Sequence, residues 1–72
     1  MKTYIGIGGE DDFTDSDLIN RNVFGVYKNG VMQKIIPNGN PEEDEVYFDP
    51  YTGYMRFGTS FYAGEKAIIQ YA

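Results

Sequence analysis

The chain has 72 residues, with six basic and eleven acidic side chains, a net charge of −5, and neither cysteine nor histidine. So short a chain is one domain burying only roughly 60% of its unfolded surface, and no disulfide framework or Cys/His metal site can reinforce it, so self-association or docking on a partner is expected. The acidic balance disfavours binding to phosphates; no run nears the roughly 20 apolar residues of a membrane span, and "MKTYIGIGGEDDF" has no signal-peptide h-region, so a soluble chain made in a cytoplasm is expected, with neither membrane nor nucleic-acid partner.

Apolar residues recur along the chain with period two, the strand period, and predict an all-β fold. The first run is Lys2 to Ile7, followed by the flexible pair Gly8 and Gly9 and the acidic stretch "EDDFTDSD". Two readings of residues 1–20 stay open. They form an arm hinged to a body of residues 21–72 and pair outside their own sheet, or they supply a first strand and a loop of the same body. In "TDSDLINRN", Thr, Asp and Ser are candidate caps for one helical turn. Val23 to Lys28 and Val31 to Ile36 flank Asn29-Gly30, a pair that accepts the positive φ angles of a type I′ turn, so these runs should form a hairpin. A second acidic stretch, "EEDEVYFD", leads into a strand from Glu45 to Asp49. A turn follows, with Asp49 accepting backbone hydrogen bonds, Pro50 fixing φ and Gly53 taking a left-handed conformation, and the chain re-enters a strand over Tyr54 to Gly58. A loop around Ala63 and Gly64 leads to a last strand, Ala67 to Tyr71. Six short strands with turns between them suggest a small sandwich or a partly open barrel.

Chemistry is sparse in this composition. With no His or Cys, and with Ser16 and Ser60 in no nucleophile motif, no catalytic residue is assigned and the chain is not expected to be an enzyme. No cofactor or metal is expected either. Calcium is the one cation worth weighing, because Asp15 with Asp17, or Asp11 with Asp15, could supply hard oxygen ligands, yet no loop matches the D-x-[DN]-x-[DN]-G pattern. The stretch "GYMRFG" has a superficial likeness to base-stacking strands, but the six basic residues are scattered and form no stripe. A sugar platform is conceivable from Tyr51, Tyr54 and Tyr62 beside Asp49, Arg56 and Gln70. The residues singled out as a candidate interface are Tyr4, Ile5 and Ile7 in the first strand, for pairing outside the sheet, and Tyr51, Tyr54 and Arg56 around the second hairpin.

The order "VFGVYKNGVMQK", an acidic connection, then "VYFDPYTGYMRFGTSFYAGEKAIIQY" resembles small β-modules of bacteriophage virion proteins. There a "v-y-x-N-G-v-x-q" hairpin is followed by "y-x-f-D-x-x-T-G-x-i-x-F" and "A-G-E-x-v-x-i-x-Y". The likeness covers residues 23 to 72 and rests on Tyr27, Asn29, Gly30, Val31, Gln33, Phe48, Asp49, Thr52, Gly53, Phe57, Ala63, Gly64, Glu65, Ile69 and Tyr71. It implies a small Ig-like β-sandwich of about six antiparallel strands, used in fibres or capsid decoration. In most such proteins the module is embedded in a longer chain, whereas here it fills nearly the whole sequence from Met1. That difference favours a separate accessory protein of the virion, docking on the capsid or another virion protein and forming homo-oligomers, with attachment to a host glycan as the alternative.

Overall fold

The Asn29-Gly30 pair adopts the positive φ angles its side chains permit, 51° and 82°, and joins β3 (Val23–Lys28) to β4 (Val31–Met32) as a tight antiparallel hairpin. In the computed structural model, which describes residues 1–72, this hairpin lies within an all-β fold of two four-stranded sheets. The remaining strands are β1 (Lys2–Ile5), β2 (Asp12–Thr14), β5 (Lys34–Ile36), β6 (Glu45–Asp49), β7 (Tyr54–Phe57) and β8 (Lys66–Tyr71). One sheet has the order β1-β8-β3-β4, the other β2-β7-β6-β5. They face each other across a core of Leu18, Val26, Val46, Phe48, Met55, Phe57, Phe61, Ala67 and Ile69.

Two features of the predicted strand set are corrected. There are eight strands, not about six, and not all pairings are antiparallel, since β5 runs parallel to β6 with Lys34 opposite Glu45. The predicted strand Val31 to Ile36 is interrupted at the buried Gln33, whose amide nitrogen donates to the Val26 carbonyl (2.8 Å) and whose side chain donates to the Val31 carbonyl (3.0 Å). The first bond continues the pairing with β3 through Gln33, and at the next residue the Lys34 amide donates to the Asp44 carbonyl (2.8 Å), where the chain has left one sheet for the other. A further correction concerns the acidic segment. Asp12 and Thr14 are solvent-facing neighbours of the inward Phe13, a two-residue alternation that makes "DFT" a strand paired with β7.

Residues 1–20 contribute a strand to each sheet, in line with the reading that they belong to the same body. β1 pairs with β8 and β2 with β7, and the connection between them bonds to the β7–β8 loop through Gly9 N to Phe61 O (2.8 Å) and Phe61 N to Glu10 O (2.7 Å). Across the gap between β1 and β2 the Tyr4 and Phe13 rings stack, with centroids 4.2 Å apart, and Tyr4 meets Phe61 edge-on at 5.3 Å. Lys2 bridges Asp15 (2.9 Å) and Asp17 (2.6 Å) on the far side of the same gap. The expected helical turn is a short 3-10 turn at Ser16–Leu18, capped by Asp15, which accepts from the Asp17 amide (2.9 Å) and seats Leu18 in the core.

This N-terminal clamp carries the protein's pH dependence. The Tyr4 hydroxyl donates to Glu10, whose carboxylate also accepts from the amides of Ile7 (2.7 Å) and Gly8 (2.8 Å). Tyr4 first, then these amides, hold the Glu10 carboxyl down at about 2; the hydrogen bond to Glu10, then burial, push the Tyr4 hydroxyl up to about 12. The hydrogen bond from Lys2 likewise lowers Asp17. A carboxyl lowered by folding contributes stability above its ordinary range and loses it as pH falls. A phenol raised by folding contributes below its ordinary value of 10.0 and loses that contribution as pH climbs toward about 12. The melting temperature is therefore expected to fall between about pH 4 and 2 and again between about pH 10 and 12. Tyr4→Phe should make both limbs shallower; an unchanged acid limb in a melting series would contradict the assignment.

Candidate functional site

Lys28 is the one charged side chain drawn inside, at 7% exposure. It alternates inward from β3 beside Val26, and its ammonium donates to Thr59 O (2.8 Å), Thr59 Oγ1 (2.7 Å) and Ser60 O (2.9 Å) while lying 4.6 Å from the Phe61 ring centroid. All three ammonium protons are thus used, and Lys28 fastens the β7–β8 loop to β3 at the floor of a cavity of about 450 Å³. A structural anchor of this kind had no signal in the sequence, where Lys28 reads as a polar residue before a turn. Lys28→Met is expected to lower stability by about 2 kcal/mol, since the loop acceptors lose their donor and compete only partly for water; urea unfolding measures it, and an unchanged midpoint would refute the anchor.

The six candidate interface residues do not converge. Tyr4 is half-buried and committed to Phe13, Phe61 and Glu10, so it is packing rather than surface. Ile5 is exposed on the outer side of β1, and Ile7 is exposed in the following loop, outside any strand. Tyr51, at the tip of the second hairpin, is 83% exposed and flanks a cleft of about 480 Å³ with Arg21, Ile36, Pro37 and Pro50. Its turn forms as the sequence predicts: Asp49 accepts from the Tyr51 amide (2.9 Å) and the Thr52 hydroxyl (3.0 Å), and Gly53 has φ 76°. Tyr62 is exposed in the β7–β8 loop, away from these residues.

Tyr54 and Arg56 do share a surface, the outer face of the β2-β7-β6-β5 sheet. With Met55 and Phe57 fully buried, strand alternation turns both outward. The register places Asp12, Arg56, Tyr47 and Ile36 in one row across four strands and Thr14, Tyr54 and Asp49 in the next. The Tyr47 and Tyr54 rings lie 6.3 Å apart at 58°, and the Tyr54 hydroxyl donates to Asp12 (2.8 Å). Burial, then that hydrogen bond, raises the Tyr54 hydroxyl above its ordinary value. Arg56 lies between the Asp11 carboxylate (3.6 Å) and the Asn40 side-chain Oδ1 (3.4 Å), which spread its fork over the face. Tyr47, missed in the sequence reading, completes the patch; its place opposite Arg56 follows only from register. The patch therefore offers two phenolic rings, a guanidinium and a carboxylate on a rigid sheet, a set suited to binding and without a nucleophile–base pair.

The acidic residues are engaged elsewhere. Asp15 and Asp17 converge on Lys2, Asp11 on Arg56 and Asp12 on Tyr54, and no three acidic side chains gather where a hard cation could sit. The calcium reading has no geometry to rest on. Comparison of the chain with protein-family models, with curated proteins and with solved structures finds no match.

Proposed function

We propose that the chain is a non-enzymatic structural component of a bacteriophage virion, an auxiliary or decoration protein with an Ig-like sandwich that docks on the capsid or another virion protein. The observation that supports this reading is the Tyr47–Tyr54–Arg56 patch on the outer face of β7 and β6. Tyrosine and arginine are the residue types that dominate protein-interface energetics, and here they are held by a sheet rather than a loop. The sequence resemblance over residues 23–72 supplies the virion context.

The test uses particles assembled without the chain and then incubated with it. Arg56→Ala and Tyr47→Ala are expected to reduce particle occupancy at least about tenfold, the effect of losing one interface anchor, with melting temperatures recorded alongside. Full occupancy by both folded variants would overturn the docking patch. A second reading, attachment to a host glycan, is favoured by the same two rings lying beside Asp12 and Arg56, since sugars stack on tyrosines and bond to such polar neighbours. It predicts a glycan-array signal that Tyr54→Ala removes and Tyr62→Ala, in the β7–β8 loop, leaves; an array blank for the parent protein would end that reading.

A further inference from the structure

The other sheet presents a face of opposite character. Registered pairing across β1-β8-β3-β4 sets Thr3, Ile68, Tyr27 and Met32 in one row, all on the side away from the core. Met32 is 64% exposed, Ile5 extends the face along β1 at 49%, and a bulge in β3 carries Phe24 out to solvent at 61%. These are large apolar side chains left in water on a hydrogen-bonded sheet.

Charge identifies what covers them. Of the charged residues in the strands of this sheet, Lys28 is buried and Lys2 is in register with the core residue Ile69, so Lys66 is the one on the outer face, and the strands carry no acid; those of the opposite sheet carry Asp12, Glu45 and Asp49 beside Lys34 and Arg56. In a chain of net charge −5 the acids are thus kept to the loops and the opposite sheet. Two copies would repel if they met through any acidic surface, and here they can meet without bringing carboxylates together. The row is also self-complementary. An in-plane two-fold axis through its middle, whether along the strands or across them, lays Thr3, Ile68, Tyr27 and Met32 of one copy on the same row of the other, as an isologous interface requires. With dimensions of 28 × 23 × 18 Å, the broad side of the molecule projects to roughly 640 Å², a little under the ~800 Å² that each partner of a stable complex buries, so a dimer of modest affinity is expected.

We infer that the chain forms a two-fold homodimer through the outer face of its β1-β8-β3-β4 sheet. The dimer leaves the Tyr47–Tyr54–Arg56 face of each copy free and pointing outward, so the pair is bivalent. The inference does not depend on the virion reading: a dimer that binds no particle would count against that reading alone.

Sedimentation equilibrium of the full chain from about 10 µM to about 1 mM decides it. The expected mass rises from 8.2 kDa to twice that value across the series. Met32→Glu and, at the other end of the row, Thr3→Glu each place a charge inside the apolar contact in either orientation of the axis and are expected to weaken dimerisation about 30-fold or more, the scale of a lost interface anchor. Thr14→Glu, on the opposite sheet, should leave it unchanged. Circular dichroism verifies that each variant is folded. A parent protein that stays at 8.2 kDa throughout, or folded Met32→Glu and Thr3→Glu proteins that dimerise as tightly as the parent, would overturn the inference.

Discussion

Deleting residues 1–20 is expected to unfold the protein. The deletion removes β1 and β2, one strand from each sheet, and takes with it Leu18, which is fully buried, and the Tyr4–Phe13 stack that packs on the core. Truncating one core leucine costs about 2–5 kcal/mol and one core phenylalanine about 3–5 kcal/mol. A domain of this length has only about 4–11 kcal/mol in all, taking 0.05–0.15 kcal/mol per residue. Those side chains alone take up most of that range, and with the pairing of β1 to β8 and β2 to β7 lost as well, the 21–72 fragment should show the collapsed methyl dispersion of an unfolded chain by NMR. A fragment with a dispersed spectrum and a cooperative thermal transition would contradict the clamp.

Gly58→Ala should cost about 3 kcal/mol or more, at the upper end of overpacking effects. Gly58 follows β7 where the strand passes the Glu42–Glu43 backbone, and a Cβ placed there would lie 1.8 Å from the Glu42 carbonyl oxygen and 3.0 Å from the Glu43 nitrogen. The obstacle is main chain, so no rotamer change relieves it. Relief requires the loop before β6 to withdraw, which breaks the bonds from Gly58 N to Glu45 O (3.1 Å) and from Glu45 N to Glu42 O (2.9 Å). Chemical denaturation measures the change. A Gly58→Ala protein within about 0.5 kcal/mol of the parent, the usual range for a surface substitution, would show that the loop moves freely.

Much of the fold is legible because local chemistry and tertiary structure agree. Asn29-Gly30 and Asp49-Pro50 with Gly53 encode their turns in short-range sterics, and the strands they flank alternate without conflict, so β3, β6, β7 and β8 lie where period-two patterning puts them. What escaped depends on distant partners. The three-residue β2 has only Phe13 as an apolar marker inside an acidic run, and its pairing with β7 is a long-range event. The break at Gln33 follows from where two sheets part, which no local pattern records. Lys28 is inside because a loop more than thirty residues away presents three oxygens to it. Of the candidate site, Tyr54 and Arg56 were readable from alternation, whereas their neighbours Tyr47, Asp12 and Asn40 come from register and loop placement.

These observations describe a two-faced sandwich. One outer face is apolar and free of carboxylates; the other carries tyrosines, an arginine and acids in fixed rows. The N-terminal clamp fastens β1 to β2 and the Lys28 anchor fastens the β7–β8 loop to β3, which ties the two faces into one body. The measurement that tests the central proposal most directly is the protein composition, by quantitative mass spectrometry, of purified phage particles produced from the genome that encodes the chain. The account predicts the chain in many copies per particle, resisting salt washes that strip adsorbed proteins; particles that lack it altogether would contradict its assignment as a virion component.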